Sequence, residues 1–306
     1  DKVWVLQPKA EAWLPAGKLP YSLAYAATVS TAEGVYVLGG ELFDLSNHPT
    51  DECLLLRWDQ AERQVAVRRQ ALPPLPVPCQ YHAAALDGDQ LFVAASSASS
   101  PTSSQLDRSH FWSLDLGEPA ELRRWRELEP WPGKPREKMM LVAQTSGALD
   151  DYGSSTALYL ISGANWFRDA NGQPDLSRYE HYHDVFCYIP KTKQWTEVAN
   201  VNFPSEPGSS ETQTQPVVAA VAIAVGQSHI LVFSGSTGEH ITEPLDTQPE
   251  FPGRVLAYHT ITDTWTVAGH MPQPVVTTSA VQWLDRIVIP SGEIRPGVRT
   301  PRVQAV

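Results

Sequence analysis

The sequence predicts an all-β protein made of repeated four-stranded antiparallel sheets, and three interleaved repeats support this fold class. A short β-branched and aromatic run that ends in two small residues recurs five times. A Tyr-turn-Trp segment and a Pro-led, Ala-rich run alternate with it. No convincing amphipathic helix accompanies them. The segment 118–131 comes nearest, and Pro119 and Pro130 confine any helix to the residues between them.

The runs with small-residue endings predict the second strand of each sheet. Their endings lie at positions 40, 96, 163, 235 and 292, so 56 to 72 residues separate one from the next. Glycine at such a place permits a tight turn and a close approach of neighbouring sheets. The five runs are Val35–Gly40, Leu91–Ser96, Leu158–Gly163, Ile230–Gly235 and Arg286–Gly292.

The Tyr-turn-Trp segment predicts the outer hairpin of each sheet, with its Trp wedged against the neighbouring sheet. The clearest copies end at Trp195 and Trp265, and weaker copies end at Trp13 and Trp125. Trp125, Trp195 and Trp265 follow one another at intervals of 70 residues. This regular interval indicates that the same structural unit is used repeatedly.

The Ala-rich runs predict the innermost strands, where the sheets converge and large side chains do not fit. Tyr25–Ala27 and His82–Ala85 are examples, each after a Leu-Pro pair. Sheets repeated around an axis in this way form a β-propeller. The long connections after the small endings, 164–180 and 236–253, are predicted to gather on one face, where binding sites commonly lie.

Composition and charge narrow the function classes. The chain has 306 residues and a net charge of −11, which disfavours a nucleic-acid-binding protein. The longest apolar run, Pro216–Val225, is too short for a membrane helix and suits a buried strand. Three separated cysteines show neither zinc spacing nor a disulfide framework. The run His181–Asp184 has no evident third ligand, so we expect no metal, and no cofactor-binding motif is present.

The order double glycine, Tyr, Trp resembles the kelch repeat over nearly the whole chain. This resemblance implies one kelch β-propeller domain, 1–306, with a half-blade at 1–16 before the five repeats.

The segment Ser291–Thr300 carries a more specific resemblance. It is similar to the Gly-Glu-x-Lys/Arg-Pro-Gly-x-Arg-Thr stretch of the bacterial sialic acid mutarotases, or N-acetylneuraminate epimerases. The repeat order looks like that of their cyclically permuted branch. The resemblance implies a kelch-type β-propeller, six-bladed in the complete protein, with one blade incomplete or missing here because an N-terminal segment is absent. A five-bladed ring is the alternative. A periplasmic or secreted location is also implied.

The same resemblance places the family's catalytic glutamate on Glu293 and its arginine on Arg299. Glu293 is then the general base and acid, and Arg299 binds the substrate carboxylate through two parallel hydrogen bonds and keeps Glu293 ionised. A turn at Pro296-Gly297 is expected to fold Arg299 back beside Glu293. A solvated loop carboxylate and a surface salt bridge are the structural alternatives.

Three further residues are candidate substrate ligands. Arg136 follows Pro135 as in the family and could bind a carboxylate or the glycerol chain, or instead form an inter-blade ion pair with Glu137 or a neighbour. His82 lies on a predicted inner strand, where a satisfied buried histidine is the alternative. Asn165 opens an aromatic and polar loop that could contact a sugar.

The implied reaction is the interconversion of anomers of a free sialic acid or related keto-acid sugar. A base takes the anomeric proton and an acid protonates the ring oxygen, so no cofactor is needed. The expected partner is therefore a small acidic sugar, with no nucleic acid or membrane, and the oligomeric state is left open. A non-catalytic protein-interaction module and a copper-radical carbohydrate oxidase are the alternatives. The oxidase requires a Tyr–Cys crosslink and two His ligands.

Overall fold

A computed structural model describes residues 1–8, 10, 12–43, 48–100, 103–147, 156–169, 171, 173, 175–204 and 211–306. Contacts divide the chain into two compact units. The first comprises Asp1–Ser97 with His110–Leu128, and the second comprises Ala98–Ser109 with Glu129–Val306. The single propeller domain 1–306 therefore stays a prediction. Regular structure in the described residues is all β apart from one short 3₁₀ helix, Leu176–Arg178, which confirms the all-β class.

The first unit contains two four-stranded antiparallel sheets, a three-stranded sheet and a hairpin. The hairpin is the predicted N-terminal pair of strands. In chain order the strands are β1 (Lys2–Val5), β2 (Leu14–Lys18), β3 (Leu23–Ala24), β4 (Ala27–Thr31), β5 (Gly34–Leu38), β6 (Glu41–Leu42), β7 (His48–Pro49), β8 (Cys53–Asp59), β9 (Gln64–Arg68), β10 (Ala83–Asp87), β11 (Gln90–Ser97), β12 (Arg108–Asp115) and β13 (Arg126–Leu128). The sheets are β1-β2, β3-β6-β7, β4-β5-β8-β9 and β10-β11-β12-β13.

The second unit contains two more four-stranded sheets, a hairpin and a three-stranded sheet that ends the chain. Its strands are β14 (Met140–Thr145), β15 (Thr156–Asn165), β16 (Glu180–Ile189), β17 (Gln194–Val198), β18 (Asn202–Pro204), β19 (Thr212–Thr214), β20 (Val221–Val225), β21 (His229–Phe233), β22 (Arg254–His259), β23 (Thr264–His270), β24 (Val281–Trp283), β25 (Arg286–Arg295) and β26 (Val298–Ala305). The sheets are β14-β15-β16-β17, β18-β19, β20-β21-β22-β23 and β24-β25-β26.

Each unit has an apolar core that its sheets share. In the first unit, side chains such as Tyr36, Leu55 and Trp112 pack together; in the second, Tyr159 and Tyr258 meet edge to face with ring centroids 5.6 Å apart. Burial of side chains of this size stabilises a fold by roughly 1.5–3 kcal/mol each. None of the helical structure in the described residues is long and apolar enough to span a membrane.

The regularly spaced tryptophans link neighbouring sheets through their indole N–H groups. Trp125 donates to the Pro73 carbonyl at 2.9 Å, Trp195 to the Glu129 carbonyl at 2.8 Å, and Trp265 to that of Ala199 at 2.9 Å. Glu129 and Ala199 come directly after the outer strand of the preceding sheet, and Pro73 comes five residues after it. These bonds hold each indole against the preceding sheet, which supports the prediction that the side chains lie between sheets.

The small-residue pairs mark bulges at two places where the sequence predicts strand ends. β15 continues to Asn165 and β25 to Arg295, each with a register shift at the small residues. The first residue of the pair is left-handed, with φ of 58° at Ser162 and 57° at Ser291, and the glycine that follows has φ of 119° or 125°. Two consecutive positive φ angles require small residues, and the kink redirects the strand without ending it.

A second left-handed residue recurs in each repeat, immediately before the inner strand. Its φ lies between 52° and 58° at Tyr25, Tyr81, Lys138, Ala219 and Thr277. Backbone hydrogen bonds connect successive copies within each unit. Tyr81 N–H donates to the Tyr25 carbonyl, Ala219 N–H to that of Lys138, and Thr277 N–H to that of Ala219, at 2.9 to 3.0 Å. We call this left-handed position the inner turn. The bonds join the inner turns of adjacent sheets within each unit.

Candidate functional site

Glu293 and Arg299 face each other across the last hairpin of the second unit. β25 and β26 are joined by the two-residue turn Pro296-Gly297, and the two residues are partners in the strand register. Arg299 Nη2 lies 4.0 Å from Glu293 Oε2, and Gly297 N–H donates to Glu293 Oε1 at 2.6 Å. The turn thus brings Arg299 back beside Glu293, as the sequence predicts.

The backbone of Glu293 is held firmly by the inner turn of the same sheet. Val276 N–H donates to the Glu293 carbonyl at 2.9 Å, and Glu293 N–H donates to the Val276 carbonyl at 3.0 Å. The equivalent bridges pair Ala164 with Glu137 and Ser236 with Val218. A carboxylate therefore occupies a position at which two other repeats of this unit carry a small, uncharged residue.

A charged cluster surrounds Lys138, the inner-turn residue before β14. Its ammonium lies 3.5 Å from Glu137 Oε1, and the charge of Glu293 also acts on it. Tyr179, in the connection that leads into β16, and His181, near the start of β16, lie within electrostatic reach of the same ammonium. Side chains from three separate segments therefore lie within electrostatic reach of Lys138.

Burial and neighbouring charge determine the protonation states in this cluster. Burial opposes the charge of Lys138, but Glu137, with smaller effects of Tyr179 and Glu293, outweighs burial and raises the pKa of its ammonium. Burial raises the pKa of Glu137 in spite of the opposing effects of Lys138 and the Trp166 indole. Burial and the positive charge of Lys138 both lower the pKa of His181. The ammonium therefore stays protonated at neutral pH, and the imidazole stays neutral.

Aromatic rings and a second cation border this cluster. The Arg168 guanidinium carbon lies 4.5 Å from the centroid of the Trp166 ring, and Arg168 also acts electrostatically on Glu137. Tyr179 and Trp166 are both half-buried. A half-exposed ring next to charged groups is a surface on which a sugar ring can stack while its polar groups meet hydrogen-bond partners.

Arg136 is a fully buried residue whose guanidinium is occupied by protein groups. Nη1 and Nη2 donate to the two carboxylate oxygens of Asp184, Nε donates to the Lys134 carbonyl at 3.0 Å, and Nη1 donates to the Ser162 carbonyl at 3.2 Å. The Tyr182 ring lies 4.4 Å from the guanidinium carbon. This geometry does not support the expected role of Arg136 as a substrate ligand. The predicted ion pair between blades is not found among the described residues either: the partner of Arg136 is Asp184 on β16, and Arg136 itself precedes β14 of the same sheet.

Asn165 is buried and bonds to the backbone of a neighbouring connection. Its Oδ1 accepts from Leu106 N–H at 3.2 Å, and its Nδ2 donates to the Leu106 carbonyl at 2.9 Å. This reciprocal pair imitates a strand ladder and anchors the segment before β12. The predicted contact of Asn165 with a sugar is therefore not supported by its position, although the aromatic residue that follows it, Trp166, does reach the cluster.

His82 is buried in the first unit, against Gly39 and Leu38. Burial lowers the pKa of its imidazole to about 4, although the backbone of Leu38 opposes the shift, so the ring is neutral at physiological pH. The ring is therefore buried, but neither of its nitrogens has a hydrogen-bond partner among the residues that the structure describes, so it is not the satisfied histidine of the alternative. Its contact with a substrate stays a prediction.

Metal ligands do not cluster in the part of the chain that the structure describes: no group of three or more His, Cys, Asp and Glu side chains could hold an ion there. The Tyr159 hydroxyl does lie within hydrogen-bonding distance of the Cys187 thiol, and the two residues are register partners on β15 and β16. Both are buried in the apolar core of the second unit. The Tyr–Cys pair that an oxidase would need is thus present without an accompanying set of metal ligands among the described residues.

Sequence reasoning missed the residues at the centre of this cluster, Glu137, Lys138 and Tyr179. One signal was available for the first two. A Glu-Lys pair departs from the repeat, because the other repeats carry uncharged pairs before the inner strand: Ala24-Tyr25, Gln80-Tyr81, Val218-Ala219 and Val276-Thr277. The contribution of Tyr179 depends on how a long connection folds back, for which the sequence carries no periodic signal.

The fold and site together define an all-β protein of successive antiparallel sheets with a carboxylate–arginine pair on its last hairpin. No family model matches the chain. Among curated proteins it is similar to the N-acetylneuraminate epimerase of Haemophilus influenzae (strain 86-028NP), with 25% identity over 249 residues that cover 76% of this chain and 58% of the relative. The N-acetylneuraminate epimerase of Shigella flexneri serotype 5b (strain 8401) is 25% identical over 255 residues, covering 78% of this chain and 61% of the relative.

The chain thus spans about three fifths of the length of these relatives. Among solved structures it resembles that of YjhT, with a TM-score of 0.53 and 19% identity over 77% of this chain and 67% of that one. At this identity the likeness shows a shared fold.

Proposed function

We propose that this chain carries the active site of a sugar mutarotase, which interconverts the anomers of a free sialic acid or a related keto-acid sugar by general acid–base catalysis. The observation that carries the proposal is the Glu293–Arg299 pair, fixed on a bulged hairpin where the equivalent residues of its unit are Ala164 and Ser236. The names of the similar curated proteins support the same substrate class.

In this proposal Glu293 is the base that takes the proton of the anomeric hydroxyl. Gly297 N–H holds one carboxylate oxygen, and the side chain keeps a fifth of its surface exposed, so the other oxygen can reach a ligand. Arg299, half-exposed beside it, binds the carboxylate of the sugar acid. Trp166 and Tyr179 offer ring surfaces to the sugar, and the reaction needs no redox cofactor.

The proposed architecture is a kelch-type β-propeller of the sialic acid mutarotase type, six-bladed in the complete protein and of the cyclically permuted branch. It is supported by the recurring sheets, by the indole–carbonyl bonds between them and by the likeness to YjhT. The proposed partner is a small acidic sugar.

The proposal is tested by following how fast a freshly dissolved single anomer of N-acetylneuraminate relaxes to equilibrium, using NMR. Wild-type protein should accelerate relaxation, and Glu293→Gln should reduce the protein-dependent rate by about 10²–10⁴-fold. Glu41→Gln is the matched control, because Glu41 pairs with Ala24 next to the inner turn of its own repeat, as Glu293 pairs with Val276. A Glu293→Gln variant that keeps the wild-type rate would refute the assignment.

A further inference from the structure

We infer that Lys138 is the second proton-transfer group of this site, the acid that protonates the ring oxygen while Glu293 removes the anomeric proton. The inference rests on the proposed mutarotase function and adds a residue that the resemblance does not supply. Mutarotation needs two groups that exchange roles, one at each oxygen, and the Glu293–Arg299 pair supplies only one of them because an arginine does not give up its proton.

Lys138 differs from the residues at the same position in the other repeats. Of the five inner-turn residues, Lys138 alone is charged; the others are Tyr25, Tyr81, Ala219 and Thr277. A left-handed backbone costs a non-glycine residue stability, and here the bonds between adjacent inner turns maintain it. The turn geometry is common to all five repeats, so it does not require a lysine. The backbone of the turn therefore does not explain why a lysine stands at this position.

Lys138 is more exposed than the carboxylate with which it pairs. Glu137 lies behind it with a side chain only 9% exposed, whereas 27% of the Lys138 side chain is exposed and can meet a ligand. Glu293 from β25, Tyr179 from the connection before β16 and His181 at the start of β16 lie within electrostatic reach of the same ammonium. Glu137 thus acts as a positioning residue, and it also favours the return of the proton to the amine after each transfer.

The proton balance closes on these two groups. The Glu293 carboxylate takes the proton of the anomeric hydroxyl, the carbonyl forms as the bond from the anomeric carbon to the ring oxygen breaks, and the Lys138 ammonium gives a proton to that oxygen. The released alkoxide is much more basic than an amine, so this transfer is downhill. After the carbonyl turns its other face, Lys138 takes the hydroxyl proton back and Glu293 returns its proton to the carbonyl oxygen.

The other groups near Glu293 are less suitable acids. His181 is neutral, because burial and the charge of Lys138 lower its pKa. Burial raises the pKa of Tyr179, which makes its phenol a weaker donor. Both Arg168 and Arg299 are guanidinium groups, which keep their protons. Lys138 is the ammonium of this cluster: it is protonated at neutral pH and 27% of its side chain is exposed.

The test is chemical rescue of a truncated side chain. Lys138→Ala should lower the protein-dependent turnover number by about 10²–10⁴-fold, with much less change in the affinity for N-acetylneuraminate. Ethylammonium should restore activity in proportion to its concentration, whereas tetramethylammonium, which has charge but no proton, should not. Lys134→Ala is the matched control: Lys134 also pairs with a carboxylate, Glu180, but 62% of its side chain is exposed.

Three outcomes would overturn the inference: rescue by tetramethylammonium as effective as by ethylammonium, a Lys138→Arg variant with the wild-type rate, or a loss of affinity with no loss of turnover. Removal of the ammonium leaves Glu137 buried without its partner, so the double variant Glu137→Gln/Lys138→Ala guards against misfolding and should also respond only to the amine. If wild type does not catalyse at all, or Glu293→Gln is fully active, the proposed function itself fails. Active Lys138 variants beside an inactive Glu293→Gln would overturn this inference alone.

Discussion

Replacement of Arg136 by Met should destabilise the protein strongly, because its guanidinium is wholly buried and bonded to three different groups. Loss of the side chain leaves Asp184 without its counter-ion and two backbone carbonyls, of Lys134 and Ser162, without a donor. Removal of one partner from a buried ion pair costs about 3–5 kcal/mol. Because Asp184 keeps about a quarter of its surface exposed, we expect the lower half of that range, about 3–4 kcal/mol.

Chemical denaturation followed by tryptophan fluorescence measures this change in the free energy of unfolding. Lys134→Met is the control, since it breaks the exposed ion pair between Lys134 and Glu180. It should lower the free energy of unfolding by no more than about 1 kcal/mol. Our assignment of a structural role would be refuted if Arg136→Met were as stable as this control and instead bound the sugar acid more weakly. That result would restore Arg136 as a substrate ligand.

Three more predictions concern the backbone and the buried groups. Gly292→Ala should lower the free energy of unfolding by about 1–3 kcal/mol in a denaturant titration and slow catalysis, because φ is 125° and the new methyl would lie 2.8 Å from Val275 Cβ. Gly297→Ala is the control and should cost less, since open space surrounds that residue. Trp265→Phe should cost at least about 0.5–1.5 kcal/mol for the lost bond to Ala199, and a cost near zero would contradict the linking role of the indoles. The pKa of His82 is about 4 in the folded protein and about 6.5 in the unfolded chain. The neutral imidazole therefore contributes roughly 3 kcal/mol to the free energy of unfolding above about pH 6.5, and this contribution is lost as the pH falls towards 4. His82→Gln should flatten stability over that interval; an unchanged slope would show that the histidine is not the group responsible.

Much of the fold was predictable because the same residue types recur at equivalent positions of successive repeats. The tryptophans at 70-residue intervals each needed an acceptor, and each finds a carbonyl in the segment after the preceding outer strand. Ser-Gly pairs were recognised as special backbone positions, but their role as bulges was not predicted, because a sequence pattern does not distinguish a kink within a strand from its end.

The site was only partly predictable, and the reason is the range of the contacts. Glu293 and Arg299 lie six residues apart across one turn, so a local motif brings them together. The partner of Arg136 is Asp184, 48 residues away, and no spacing rule joins them. Apart from Glu137, the neighbours of Lys138 come from β16, β25 and the connection before β16, far away in the sequence, so its role emerges from tertiary packing.

The central claim, that this chain catalyses anomer exchange through Glu293, is tested most directly by magnetisation-transfer NMR on an equilibrium mixture of N-acetylneuraminate anomers. With catalytic amounts of wild-type protein, saturation of one anomeric form should transfer to the other at a rate proportional to protein concentration, and with Glu293→Gln the transfer should fall to the rate without protein. No transfer above the uncatalysed rate with folded wild-type protein would contradict the account.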